Sequence, residues 1–358
     1  MKSNLILAIN PGSTSTKIAV FENDKEVFLK NIKHSSDSLK DFAEITEQYE
    51  FRKNIILDEL DNAGIHLEDI RAIVGRGGLV KPIKSGVYSV NEQMLKDLKK
   101  GILGQHASNL GGLIADDIAK SLPNAKAFIA DPVVVDELDD VARISGHPNF
   151  KRISIFHALN QKAIARTHSK QQGQEYENTN LIVAHMGGGI SVGAHRRGRV
   201  VDVNNALDGD GPFSPERSGS LPTGQLVKLC FSGDYSINDI KKMLKGEGGL
   251  VAYLGSNDAY EVEKRAEKGD KKAALIQDAL AYQVAKEIGA MSAVLEGDVD
   301  AILLTGGIAY GKPVVEAIKK RIKHIAPVFI YPGEDEMKAL AMNGLRVLKG
   351  DTEALKYE

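Results

Sequence analysis

The 358-residue sequence has one cysteine, Cys230, and no tryptophan. A lone thiol excludes an internal disulfide and any metal centre built from several cysteines, and it accords with a reducing compartment. Nine histidines occur without an H-E-x-x-H pair or a Cys/His cluster, so no dedicated transition-metal centre is expected. Neither sign of charge prevails: 46 Lys and Arg against 48 Asp and Glu leave −2. No global field therefore draws the chain to nucleic acid or anionic lipid. No uncharged apolar run reaches the ~18–20 residues of a membrane-spanning helix, and the nearest approach, 301–311, is interrupted by adjacent glycines. Ahead of Asn10-Pro11-Gly12 only Leu5 to Ile9 is apolar, shorter than the ~7–15 residues of a signal-peptide core. Export and membrane insertion are not expected; a cytoplasmic location is. A G-x-S-x-G nucleophile elbow is also missing.

What is present is ordinary globular composition, 42% hydrophobic and 26% charged, in a chain long enough for two domains at roughly 150 residues each. Glycine stands out, with 35 residues gathered in clusters. Leu5-Ile6-Leu7-Ala8-Ile9 reads as a buried strand, Asn10 to Ser13 as a turn and Thr16 to Phe21 as a second strand; a turn at Glu22 to Lys25 precedes a third. The same plan returns with Leu181 to Ala184, the turn His185-Met186-Gly187-Gly188-Gly189, the strand Ile190 to His195, the turn Arg196 to Gly198 and the strand Arg199 to Val203. This predicts a duplicated strand-turn-strand-turn-strand unit opening each of two domains. Helical spacing is expected up to Gly64, over Asn109 to Leu122, over His157 to Arg166, and from Leu275 to Leu295 before Gly297. Strands and helices alternate, the α/β signature, and ligands in such sheets gather at the carboxyl ends of strands. The expected domains are 1–150 and 151–340, with 341–358 packing back on the first.

Asn10-Pro11-Gly12-Ser13-Thr14-Ser15-Thr16-Lys17 is a turn of small residues whose amides and hydroxyls can surround phosphate oxygens. It is not a Walker loop, and a plain hairpin is the alternative. Gly187-Gly188-Gly189 lies at the equivalent place in the second unit, so two such turns can serve one polyphosphate. Thr305-Gly306-Gly307 follows a buried strand and admits either the flat face of a nucleoside or a tight strand-helix turn. Arg76 among glycines, and Arg217 in Gly211-Pro212-Phe213-Ser214-Pro215-Glu216-Arg217-Ser218-Gly219, are guanidiniums in unusual settings, suited to carboxylate or phosphoryl oxygens. Magnesium needs only one or two carboxylates besides phosphate and water, and Asp131 and Glu336 are candidates, although each taken alone reads first as a helix cap or surface acid. His157, at an expected helix start, reads as a cap or as catalytic.

These segments, with Gln105-His106-Ala107-Ser108-Asn109, Asp131-Pro132-Val133, Ser145-Gly146-His147-Pro148 and Val203-Asn204-Asn205-Ala206, resemble the acetate and butyrate kinase family, collinearly and over almost the whole chain. The resemblance implies two ribonuclease-H-like (actin-like ATPase) domains facing a nucleotide cleft, ATP or ADP with Mg2+, a short-chain carboxylic acid as acceptor, and at least a homodimer. Carried over residue by residue, it makes Asn10 a ligand of the magnesium-nucleotide, Arg76 and Arg217 the acceptor and phosphoryl clamps, and His157 a transition-state donor. Asp131 and Glu336 support the metal and its waters, with Glu334 a rival to Glu336. Gly12, Ser13, Thr14, Ser15, Lys17, His185, Gly187, Gly188, Gly189, Gly306 and Gly307 are expected around the nucleotide, and Gly77, His106, Phe156 and Pro215 beside Arg76 at the acceptor.

Two departures bear on the acceptor: Arg76-Gly77-Gly78 replaces the family's Arg-Val-Val-His-Gly-Gly, and the loop before Arg217 is short. Both imply a roomier acyl site, suited to butyryl or isobutyryl rather than acetyl tails. Ser220 stands where acetate kinases usually carry an acid. Acetate or propionate phosphorylation is the alternative of the same class. An actin- or Hsp70-like assembly protein is the alternative of another class, against which both arginines argue, since a nucleotide switch has no carboxylate to hold.

Overall fold

Leu5-Ile6-Leu7-Ala8-Ile9 has apolar side chains on both faces, the pattern of a strand covered on each side, and Ile6 to Ile9 are fully buried. In the computed structural model, which describes residues 4–40, 42 and 44–358, this run forms β1 (Leu5–Pro11). It is antiparallel to β2 (Ser15–Glu22), which pairs antiparallel with β3 (Lys25–Lys33). On its other edge it is parallel to β4 (Ile70–Arg76). A short strand, β5 (Val87–Ser89), runs antiparallel to β6 (Lys126–Ala130), which is parallel to β4.

The second sheet follows the same plan. β7 (Asn180–Met186) is antiparallel to β8 (Ile190–Arg196), and β8 to β9 (Arg199–Val203). β7 is parallel to β10 (Ala301–Gly306), which is parallel to β11 (Val328–Pro332). With β12 (Leu355–Lys356) at the edge of the first sheet, the orders are β12-β5-β6-β4-β1-β2-β3 and β11-β10-β7-β8-β9. Five strands in each sheet share order and sense, so the duplicated unit is a repeated ribonuclease-H-like core. The β8–β9 turn carries Arg197 and Gly198 at φ 48° and 83°, the left-handed pair of a tight hairpin.

The chain divides into two compact units after Val135 and again after Glu334, so Asp335–Glu358 belongs with the first. The sequence reading placed these breaks near 150 and 340. Residues 136–150 lie with the second unit because they bond to it: Asp139 N–H donates to Val201 O at 2.9 Å, and Arg196 pairs with Asp139 at 2.9 Å. In the first unit the helix Glu336–Lys349 packs on β1 and β4. The helix Tyr49–Asn62 turns Arg52, Ile56 and Leu60, spaced four apart, into the core. In the second, the long helix begins earlier than its apolar spacing shows, at Lys271, because Asp270 caps the amides of Lys272 and Ala273 at 3.0 Å. Four helices between Thr223 and Glu267 fall where no periodicity marked them. Among the described residues no helix is long and apolar enough to cross a membrane.

One close approach fixes the end of β4. The helix Asn109–Lys120 passes so near that a Cβ on Gly111 would lie 3.0 Å from Arg76 N and 3.2 Å from Arg76 C. Asn109 Oδ1 also accepts from Leu79 N–H at 2.8 Å, tying down the residues after Arg76. Gly111→Ala should therefore overpack this crossing and lower stability by about 1–3 kcal/mol. Urea unfolding measures it, and an unchanged midpoint would show that the crossing relaxes freely.

Candidate functional site

In the first unit, the penultimate residue of β1, Asn10, meets two side chains from distant parts of the chain. Its Nδ2 donates to Glu336 Oε2, and Arg76 Nη1 donates to Asn10 Oδ1 at 3.3 Å and to Glu336 at 3.2 Å. Arg76 is the last residue of β4, and Glu336 opens a helix capped by Asp335, whose Oδ1 accepts from Lys338 N–H at 3.0 Å. Lys17 lies directly opposite Asn10 in the β1–β2 register, which puts both on one face of the sheet, and it is exposed.

The Gly12–Ser15 turn is held from behind by Arg52, a residue no motif marks. Its Nη1 donates to Gly12 O at 2.7 Å, Ser15 O at 3.0 Å and Thr16 Oγ1 at 3.1 Å, and its Nη2 to Ser13 O at 3.1 Å. Burial lowers the guanidinium's pKa to about 10, still cationic at neutral pH. Ser13 and Thr14 are exposed at the tip.

Asp131 follows β6 with a left-handed φ of 38° and is 2% exposed. Its Oδ1 accepts from Ser85 Oγ at 2.6 Å and Gly86 N–H at 2.9 Å, so it ties the approach to β5 to the end of β6. Gly77 packs on Pro132, where a Cβ would lie 2.5 Å from Pro132 Cβ. His106 is exposed, its Nδ1 2.8 Å from Ser108 Oγ.

In the second unit the glycine turn Gly187–Gly189 closes on itself through Gly187 N–H to Gly189 O at 3.0 Å. Arg217 lies across it. A Cβ on Gly189 would sit 2.6 Å from Arg217 Cζ, so only glycine leaves room for the guanidinium. Arg217 Nη1 donates to Ala206 O, and burial lowers its pKa from the ordinary arginine value. The loop around it is locked: Ser214 Oγ donates to Gly188 O at 2.7 Å, Ser214 N–H to Arg217 O at 3.0 Å, and Val251 N–H to Pro215 O at 3.1 Å. Pro215 is buried, as is Phe156.

His157 stands at the N-terminus of the helix Ala158–Gln171 without a side-chain capping bond, its ring stacked on His185 at 4.1 Å between centroids and its Nδ1 2.9 Å from Ser191 Oγ. Behind it runs a buried chain of hydrogen bonds. The carbonyl of Ser191 can only accept, so the end of Gln161 that faces it at 3.0 Å is the amide nitrogen, which also donates to Ser191 Oγ at 2.8 Å. Gln161 Oε1 then accepts from His195 Nε2 at 2.9 Å, and His195 Nδ1 accepts from Tyr176 OH at 2.7 Å. Burial, with Lys162 and Arg166 nearby, holds His195 neutral, its pKa well below the ordinary value. Ser191 Oγ, already accepting from Gln161, keeps one proton to give and one lone pair to share, and His157 Nδ1 is its neighbour at 2.9 Å.

His185 Nε2 lies 3.3 Å from Glu334, which also accepts from Asn160 Nδ2 at 3.2 Å. The two candidate glutamates thus differ in company: Glu336 with Asn10 and Arg76, Glu334 with His185 and Asn160. Gly306, at φ 89°, packs on Met186 and exchanges both backbone hydrogen bonds with Gly333, at 3.0 and 2.9 Å. A Cβ on Gly307 would meet nothing within 4 Å, so its face is open.

Geometry thus gathers the anticipated Asn10, Arg76 and Glu336 in one group, Arg217 with Gly187–Gly189 in a second, and His157 with His185 in a third. Arg52 and Gln161 were not anticipated. Helical spacing alone could have suggested a buried Arg52; nothing in the sequence marks Gln161.

Residues 151–346 match the Acetokinase family. Butyrate kinase 1 and Butyrate kinase 2 of Clostridium acetobutylicum are each 58% identical over 353 residues, 99% of this chain and of theirs. An acetate kinase of Porphyromonas gingivalis shares the fold at a TM-score of 0.79 and 19% identity, covering 96% of this chain and all of its own. A propionate kinase of Francisella tularensis does so at 0.76 and 21%, covering 95% of this chain and 98% of its own. The full-length identity and the family match together establish that the chain belongs to the acetokinase family.

Proposed function

We propose that this protein reversibly transfers the γ-phosphoryl group of ATP to the carboxylate of butyrate, or of a branched neighbour such as isobutyrate, giving an acyl phosphate and ADP. The observation that carries this is 58% identity over 99% of the chain to proteins named butyrate kinase. A carboxylic acid with a pKa near ~4.3 is already ionised at neutral pH, so the nucleophile needs no general base. The barrier is the approach of one anion to another, which fixed positive charge offsets as charge spreads over the equatorial oxygens.

In this reading Arg217, locked against the glycine turn, holds the transferring phosphoryl group, and Arg76 holds the acceptor carboxylate. His157, its ring held by Ser191 and stacked on His185, donates a ring N–H to a phosphoryl oxygen. The Gly12–Ser15 and Gly187–Gly189 turns, with Lys17 and His185, receive the polyphosphate; the open face at Gly307 suits the nucleoside. Asn10 and Glu336 fit magnesium, offering one amide oxygen and one carboxylate to an ion that otherwise keeps water and phosphate. Magnesium would neutralise phosphate charge. Asp131 acts by holding Ser85 and Gly86. Gly77, His106, Phe156 and Pro215 are assigned to the acyl side. A cytoplasmic location and assembly into at least a dimer complete the reading, the latter supported by Val141, Ile144 and Phe150, exposed apolar residues of the second unit.

Replacing Arg217 or Arg76 by alanine should lower turnover ~10³-fold or more, by analogy with other phosphoryl-transfer arginines. Gly189→Ala should cost turnover too, because its methyl displaces the Arg217 guanidinium. Steady-state kinetics in which these variants raised only the KM for ATP would refute the roles assigned here. A hydroxamate assay across C2 to C6 acids should give most acyl phosphate with butyrate or isobutyrate and none once magnesium is chelated; a maximum at acetate would assign a smaller acid. Light scattering should give at least twice the 38.7 kDa chain mass, and a monomer would contradict the assembly.

A further inference from the structure

Arg52 is 1% exposed, yet its hydrogen-bond partners are all neutral: the carbonyls of Gly12, Ser13 and Ser15, the hydroxyl of Thr16, and Gln48 Oε1 at 2.8 and 3.2 Å. Among the described residues no carboxylate pairs with it, and desolvation is the one influence that moves its pKa. A buried guanidinium without a counter-ion is costly. The nearby His34, whose Nε2 lies 2.8 Å from Thr16 Oγ1, supplies no opposite charge: burial and Arg52 hold its pKa down at about 4, so it is neutral.

The direction of the turn adds a second observation. The carbonyls of Gly12, Ser13 and Ser15 point at Arg52, and that of Thr14 accepts from His34 N–H at 2.9 Å. Arg52 thus takes three of the turn's four carbonyls, and Ser15 O also closes the turn by accepting from Gly12 N–H at 2.7 Å. The amides of Ser13 and Thr14 have no backbone partner among the described residues, and both residues are exposed. A short exposed loop with two amides that no backbone group takes, and a cation beneath it, suits an anion.

We infer that the missing counter-charge belongs to the ligand: Arg52 is a positioning residue that holds the Gly12–Ser15 turn by its carbonyls, and its cation is matched when a nucleotide's phosphates sit on that turn. This rests on the nucleotide reading above and says what its first turn recognises: phosphate rather than nucleoside.

Calorimetric titration of the full-length protein with ADP, inorganic tripolyphosphate and adenosine tests it, in wild type, Arg52→Met and Arg52→Lys. Arg52→Met should weaken ADP and tripolyphosphate by about tenfold or more, the scale of a charge-assisted contact. Adenosine binding and the KM for the carboxylic acid should stay near wild type, and the KM for ATP should rise with the loss of ADP affinity. Arg52→Lys keeps the charge but not the fork, and should lie between the two. If Arg52→Met binds tripolyphosphate as wild type does, or loses adenosine and ADP equally, Arg52 is only a structural clamp and the inference fails. Should Arg52→Met not fold, an unchanged tripolyphosphate affinity in Arg52→Lys overturns it. If wild type makes no acyl phosphate while tripolyphosphate binding still depends on Arg52, the kinase reading falls and this inference stands.

Discussion

Repulsion between a carboxylate and a triphosphate governs everything else in this molecule. Cations that offset it must already be in place, because a mobile lysine or arginine would spend part of its attraction on becoming ordered. The two guanidiniums proposed for this task are fixed by unlike means. Arg76 is tied to Glu336 and Asn10, a carboxylate and an amide that orient the fork. Arg217 has a backbone carbonyl and the bare face of Gly189 instead, in a loop pinned through Ser214 and Pro215. A guanidinium satisfied by a carbonyl keeps its full charge for a ligand; one satisfied by a carboxylate shares it.

The repeated core shows how one frame took on two tasks. Asn10 and His185 occupy the same penultimate place in β1 and β7, and each faces a glutamate of the 334–336 segment. The turns that follow differ in where their cation lies. Arg52 stands behind the first turn and draws its carbonyls in, whereas Arg217 lies against the glycine of the second. The first therefore offers amides and hydroxyls, the second a guanidinium beside a backbone without side chains. Duplication supplied the strands, and divergence the side on which charge is placed.

Much of this was legible in the sequence because backbone demands leave marks. Apolar runs gave the central strands, and glycines marked the turns. The Gly211–Gly219 loop looked unusual for an arginine because an ordinary surface arginine needs no such loop. What stayed hidden lies in side-chain networks. Arg52 shares the four-residue spacing of the buried Ile56 and Leu60, but a charge at such a place ordinarily reads as solvated, and the spacing does not show which turn it would bond. The chain from Gln161 through His195 to Tyr176 joins elements that one-dimensional spacing cannot associate. The breaks after Val135 and Glu334 were obscure for a similar reason: they follow which sheet a loop bonds to, and composition does not change there.

Glu334 and Glu336 are separated by Asp335, and the chain passes from one unit to the other between Glu334 and Asp335. Each glutamate serves the hairpin of its own unit, and Asp335 between them caps the helix that Glu336 opens. That cap sets the phase of Glu336: a residue inserted between Asp335 and Glu336 would turn the carboxylate by about 100° around the helix, away from Asn10 and Arg76.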